Sequence, residues 1–368
     1  MEETPEEFTQ RLRLAAEYKM GDDLLGRIEY ASSWQAKQRV ALNDAADVID
    51  AFANGGTPVS SDSQAPPIKR IHLTAEMMKR NHPDILAPVE NEFFDSYLEN
   101  VSNGLSIAKK SKVVFVGMAR SIDGELPNTI ERISESGKQF ADWKAVIYEN
   151  DSNDGTKQVL TQWRDAEETG RVHLSLNDFG FEHLNGWEPL RVERYALYRN
   201  ECRKMAAMIM PDADFVVVMD LDSWGGHSRR GLLNSVSWLD RIPNAGCMAS
   251  VSLYQIRDNE GVVHLCHYDQ WGYRSLQSWS HRIESWFTRW IPATGSNPIL
   301  VKSAFGGLAV YKAAPFFASE YQGGPDIEHV GLHKAMKAIG YDVYLNPSSR
   351  VTMEWALDEQ EKNDTDIL

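Results

Sequence analysis

The stretch that most constrains this chain is residues 214–226, Asp-Phe-Val-Val-Val-Met-Asp-Leu-Asp-Ser-Trp-Gly-Gly. Phe215 to Met219 is a short apolar run rich in β-branched residues. Such a run predicts a strand covered on both faces, as in a parallel sheet flanked by helices. It stops at Asp220-Leu221-Asp222 and a glycine pair. Extended chain repeats every two residues, so Asp220 and Asp222 project to one side. Two adjacent carboxylates repel unless a positive charge lies between them. Oxygen ligands of this kind suit a hard divalent cation, Mn2+ or Mg2+. The carboxyl ends of parallel strands are also where open α/β sheets take ligands. The plainer reading of an Asp-x-Asp is a polar strand end entering a turn.

The neighbouring sequence supports a sheet. Lys112–Arg120 reads as a buried strand with a base at its tip, Pro127–Phe140 as a helix, and Trp143–Tyr148 as a second strand. The turn Glu149-Asn-Asp-Ser-Asn-Asp-Gly-Thr156 follows, then a helix through Trp163, with Ser152 or Asp154 as its cap. Arg171–Leu176 reads as a third strand, and a long amphipathic helix, Arg191 to Met210, leads into the aspartate strand. Strands alternating with helices predict a mostly parallel sheet with right-handed crossovers.

The N-terminal third has a different texture. Residues 5–53 have helical spacing, residues 57–70 read as a linker around Pro66-Pro67, and a second helical patch covers about 84–108. The expected organisation is a helical extension over 1–110 and an α/β domain over 111–368. Charge and cysteine content limit the function classes. A formal net charge of −15 disfavours nucleic acid as a partner. Cys202, Cys247 and Cys266 form no paired framework and no zinc motif. The acidic start is no signal peptide, and no apolar run reaches a membrane span. The expected location is therefore the cytoplasm.

Two stretches together, Tyr148-Glu-Asn-Asp-Ser-Asn-Asp-Gly-Thr156 and Met219-Asp-Leu-Asp222, resemble the GT-A nucleotide-sugar glycosyltransferases. In that superfamily the first is the nucleotide-binding turn and the second the metal-binding DxD motif. Arg191-Val-Glu-Arg-Tyr-Ala-Leu-Tyr-Arg-Asn200 and Tyr268-Asp-Gln-Trp-Gly-Tyr-Arg274 resemble segments of the fungal capsule-associated α-1,3-mannosyltransferase family. Phe305-Gly-Gly-Leu-Ala-Val-Tyr311 and Glu328-His329 followed by Gly340-Tyr341 resemble acceptor-side and C-terminal GT-A elements. The resemblance covers about residues 112–350. It implies a GT-A fold, Rossmann-like, with a helical N-terminal extension. It implies a metal-dependent transfer of a sugar, mannose by the narrower likeness, from a nucleotide-sugar donor to a glycan or other hydroxyl acceptor in glycan biosynthesis.

Two positions depart from the family pattern. Glu149-Asn150 stands where many members have Asp-Asp, which leaves the nucleobase open. Glu328-His329 stands where inverting members have Glu-Asp, which leaves the general base and the stereochemical outcome open.

The chemistry assigns roles. Asp222, with Asp220, would hold the metal that neutralises a leaving diphosphate. Asp220 is also a candidate for the donor ribose, and Glu149 and Asn150 for the base and ribose. Arg120, Arg194 and Arg199 are candidates for the donor phosphates, since a guanidinium fork matches phosphate oxygens. Glu328, Asp326 and His329, at the start of a helix running to Ile339, are candidates for taking the acceptor proton. His333 on the same helix is a candidate metal ligand. Trp271 and Tyr273, with Asp269 nearby, are candidates for stacking on and binding the acceptor sugar. Two alternatives compete. A sugar-nucleotide-forming nucleotidyltransferase wants a glycine-rich, lysine-bearing loop after the first strand, and Gly117 to Gly124 does not supply one. A non-catalytic carbohydrate-binding protein has no need of an intact Asp-x-Asp.

Overall fold

A computed structural model describes Pro83 and residues 89–354, except 168, 185–188, 258–262, 280–289 and 325. The chain divides into two compact units, residues 1–75 with 257–264 and residues 76–256 with 265–368. The first falls almost wholly outside the described residues, as do the expected helix over 5–53 and the linker over 57–70.

In the second unit the expected βα series forms. In chain order it runs α1 (Phe94–Ala108), β1 (Lys112–Ala119), α2 (Leu126–Gly137), β2 (Asp142–Asn150), α3 (Thr156–Ala166), β3 (Val172–Asn177), α4 (Pro189–Ile209) and β4 (Phe215–Asp220). Then come β5 (Gly226–His227), α5 (Arg229–Arg241), β6 (Ala245–Arg257), β7 (Val263–His267), β8 (Ile299–Val301), β9 (Leu308–Lys312), α6 (Ala313–Phe317), α7 (Glu328–Ala338) and β10 (Asp342–Glu354).

The sheet order is β3-β2-β1-β4-β9-β6-β10-β5. β3, β2, β1 and β4 are mutually parallel, and β10 runs parallel to β6. β9 is inserted antiparallel between β4 and β6. The architecture is the expected α/β sheet with flanking helices, but only the β3-β2-β1-β4 half is all parallel as expected; the other half is mixed, since β5 and β8 also run antiparallel to β10. The alternation of each strand sorts its side chains between two cores. Val113 and Phe115 of β1, with Phe215 and Val217 of β4, face Leu160 and Leu232 of the flanking helices. Val114, Val116, Val216 and Val218 face Ala196, Cys202, Leu332 and Met336 on the other side. A fully buried leucine such as Leu160 or Leu232 contributes about 2 kcal/mol through apolar burial.

Two elements depart from the sequence reading. α1 belongs to the unit that holds the sheet rather than to a separate N-terminal extension. It lies so close to α5 that a Cβ on Gly104 would sit 1.9 Å from the Leu233 carbonyl oxygen. α4 is not simply amphipathic, since its buried residues include Arg199 and Arg203 beside Val192, Ala196, Cys202 and Ala206. Among the described residues, no helix is long and apolar enough to cross a membrane. All three cysteines are buried and unbridged.

Strand order reverses direction at β1, since β2 and β3 lie on one side and β4 on the other. Ligands of open α/β sheets bind at such a switch point, beyond the strands' carboxyl ends. The register puts Met118 of β1 level with Tyr148 of β2 and Asp220 of β4. The Asp220-Leu221-Asp222 segment therefore ends the sheet beside Arg120.

Candidate active site

A cleft of about 320 Å³ opens at this point. Its lining includes Arg120, Asn150, Arg194, Arg199, Asp220, Asp222, Asp269, Trp271, Glu328 and His329. Leu221 packs into the core at 1% exposure, and Asp220, Leu221 and Asp222 all line the cleft.

Asp220 is held from both ends. Its N–H donates to the Gly307 carbonyl at 2.8 Å, and its Oδ1 accepts from Arg199 Nη2 at 3.3 Å. Burial, reinforced by repulsion from Asp222 and Asp269 against the pull of Arg199, pushes its carboxyl up to about 7. Asp222 stays exposed at the cleft mouth. The protein around it, with the nearby Glu125 carboxylate, still raises its carboxyl above the usual range. Two acids whose ionised forms are disfavoured, side by side at a strand end, are a donor set that a divalent cation would relieve. Among the described residues no three His, Cys, Asp or Glu side chains enclose a metal position. Mg2+ or Mn2+ in a nucleotide site takes one or two carboxylates from the protein, with phosphate and water completing its shell.

The Phe305-Gly306-Gly307 turn explains how β9 approaches so closely. Gly306 and Gly307 have φ of +69° and +74°, a region glycine enters without cost. A Cβ on Gly306 would lie 1.9 Å from the Ser250 carbonyl oxygen. Asp269 fixes the turn: its Oδ2 accepts from Gly306 N–H at 2.8 Å and its Oδ1 from Gly272 N–H at 2.9 Å. Its carboxylate lines the cleft but is committed to backbone.

Arg199 reaches the cleft from α4 with 7% of its side chain exposed. Besides Asp220 it engages Glu328, donating from Nε to Oε1 at 2.9 Å. The two carboxylates hold it charged against the pull of burial. Glu328, at the first position of α7, is itself buried. His329 stacks on Phe305 with ring centroids 3.8 Å apart. Neither ring nitrogen of His329 has a hydrogen-bond partner, and the Glu328 carboxylate lies 3.7 Å from Nε2. Burial, with help from Arg199 and His333, holds this imidazole neutral.

The opposite wall is cationic. Arg120 donates to the Phe181 carbonyl at 2.6 Å, and Arg194 covers the Phe181 ring at 4.5 Å. Asp151, at a left-handed φ of 56°, accepts from both Phe179 N–H and Gly180 N–H at 2.7 Å. These three side chains fasten residues 178–184 beside the cleft, which Glu182, His183 and Leu184 also line.

Four expected site residues do not face the cleft. His333 is wholly buried, with Nδ1 bonded to Ser303 Oγ at 2.8 Å and Nε2 to Tyr311 Oη at 3.0 Å. Both ring nitrogens are engaged inside the core, away from Asp220 and Asp222 in the cleft lining, which does not support its expected place on the metal. Asp326 pairs with the buried Arg274 and with Lys334, which fastens the α7 entry to the 268–274 loop and leaves it outside the cleft lining. Tyr273 packs against the second core. Glu149 is fully buried, and its Oε1 accepts from Ser152 N–H at 2.9 Å inside the turn. Asn150, one residue on, does face the cleft. The cap of α3 is Gly155, which offers no side-chain bond, rather than Ser152 or Asp154; Asp154, one residue earlier, accepts from Thr156 N–H at 2.9 Å.

The sequence reading missed Arg191, Tyr195 and Tyr198, which line the cleft from α4. Their spacing of four and three residues, in register with Arg194 and Arg199 of the helix, is the signal that finds them. Residues 182–184 carry no such periodic signal.

No known family pattern matches the chain. No curated protein matches it either. Solved structures do resemble it. A mannosyltransferase from Pyrobaculum calidifontis, in complex with GDP-Man and Mn2+, is 14% identical over 71% of this chain and 66% of that one, with a TM-score of 0.40. GalNAc-T7 with UDP, GalNAc and Mn2+ is 14% identical over 80% of this chain and 57% of that one, at 0.44. S. aureus TarS 1–349 in complex with UDP-GlcNAc is 12% identical over 66% of this chain and 58% of that one, at 0.36. The chain thus spans less than two thirds of the length of each, and the likeness is remote.

Proposed function

We propose that this protein is a metal-dependent glycosyltransferase that moves a sugar from a nucleotide-diphosphate sugar to a hydroxyl acceptor. One observation carries the reading. Asp220 and Asp222 share a single cleft with Arg120, Arg194 and Asn150, at the switch point of the parallel β3-β2-β1-β4 series. A cation-seeking pair and an anion-seeking wall facing each other match a ligand that is itself a metal–diphosphate.

Asp222 and Asp220 would hold Mn2+ or Mg2+, which supplies positive charge to the departing diphosphate. Arg120 and Arg194 face the anionic part of the donor, and Asn150 offers an amide to its nucleoside. In the transfer, the bond between the anomeric carbon and the phosphate oxygen breaks and the diphosphate leaves with the electron pair. The acceptor hydroxyl oxygen bonds to that carbon, and its proton passes to a base. On the α7 side of the cleft the groups able to take a proton are Glu328 and His329. Trp271 offers an aromatic face there for an acceptor sugar. Mannose is the first sugar to try, on the likeness of Arg191–Asn200 and Tyr268–Arg274 to the mannosyltransferase family.

Incubation with GDP-mannose, UDP-N-acetylglucosamine and UDP-N-acetylgalactosamine, with and without Mn2+, tests this. The expected products are free nucleoside diphosphate and transferred or hydrolysed sugar, formed only with metal. Release of pyrophosphate would replace the reading with nucleotidyl transfer. Tight sugar binding without turnover of any donor would replace it with carbohydrate binding.

A further inference from the structure

Arg199 was expected on the donor phosphates, but two of its three guanidinium nitrogens are bonded to acids of the protein. One edge of the planar group is split between two acids from different elements, Nε on Glu328 at the start of α7 and Nη2 on Asp220 at the end of β4. The Phe305 and Tyr321 rings lie 5.2 and 6.0 Å from its central carbon. Phe305 in turn stacks on His329. A phosphate reader would keep this two-nitrogen edge for its ligand, whereas here two acids occupy the edge and two rings flank the group.

We propose that Arg199 is a positioning residue for the transfer described above, on which this inference rests. By binding one carboxylate on each side, it fixes the metal-side acid against the acceptor-side acid. β4 is locked in the sheet and α7 rides on its face. The Asp220–Arg199–Glu328 bridge therefore sets where the leaving diphosphate and the incoming hydroxyl stand relative to each other. A buried charge left without its partner strongly destabilises a protein, so the bridge also holds the cleft together. Lysine offers a point charge in place of a planar fork and satisfies one acid at a time.

The test compares R199K, R199M, E328Q and R199M/E328Q with the wild type, in melting temperature and in Mn2+-dependent turnover of whichever of the three donors above it uses. The bridge predicts a lower melting temperature for R199M and partial recovery in R199M/E328Q, because the second change removes an acid that lost its partner. It predicts that R199K and R199M each lower kcat by at least about tenfold, with the donor KM within about twofold. A tenfold or larger rise in donor KM with kcat kept would overturn the inference and return Arg199 to the phosphates. A melting temperature that does not recover at all in R199M/E328Q would overturn it as well. If R199M does not fold, R199K decides by the same kcat and KM comparison. Failure of the glycosyl-transfer reading appears separately, as a wild type that turns over no donor. The melting temperatures then judge the bridge alone: recovery in the double variant supports it, and no recovery overturns it.

Discussion

At the scale of single residues the cleft is governed by Asp220. A carboxyl raised to about 7 is protonated below that pH and competes poorly for a cation there. Mn2+ affinity should therefore weaken as pH falls below about 7, towards tenfold per unit, and level off above it. Titration of manganese by its electron paramagnetic resonance signal, at pH 5.5 to 8.5, checks this, and D220N should flatten the dependence. Stability without metal follows the opposite sign. A carboxyl whose folded value is raised binds more protons folded than unfolded, so stability falls as pH rises from its ordinary range to about 7. His333 gives a contrasting forecast. With both nitrogens bonded in the core, H333Q should lower the melting temperature while leaving Mn2+ affinity unchanged. A loss of affinity there would return it to the metal site.

Among the elements, the strands and their tips were legible in the sequence. The β-branched run at 215–219 had to be a buried strand, and the acids at its end line the cleft. What was not legible was which polar residues the tertiary structure would consume. Asp326 and Asp269 look like free acids in the sequence, yet one is tied to Arg274 and the other to two glycine N–H groups. Those partners are distant in the chain and carry no local periodicity. Arg199 on α4 reads as a solvent or phosphate contact for the same reason, and its burial between two acids depends on where α7 lands. The grouping of residues 94–108 with the sheet likewise rests on the packing of α1 on α5, which carries no local signal. Gly104 makes that contact testable. G104A would drive a methyl into the Leu233 carbonyl and should cost about 1–3 kcal/mol of stability, as overpacking does. Urea unfolding measures it, and a neutral result would mean that the two helices can separate.

Across the whole molecule the net charge of −15 coexists with a locally basic wall of Arg120, Arg191 and Arg194. The overall field repels a nucleoside diphosphate while the cleft attracts it, so the cation's charge should be needed for binding. A ligand that binds only the folded protein raises the melting temperature by mass action, by about 2.7 kcal/mol at a hundredfold excess over Kd. GDP or UDP with Mn2+ should raise it, and either component alone should do much less. The most direct measurement of the account is calorimetric titration of GDP and UDP, with and without Mn2+, into the wild type and D222A. Strong binding by the wild type only with Mn2+, and loss of that metal-dependent increment in D222A, is the expected result. Equal binding by D222A, or binding indifferent to Mn2+ in the wild type, would contradict a metal–diphosphate site at the end of β4.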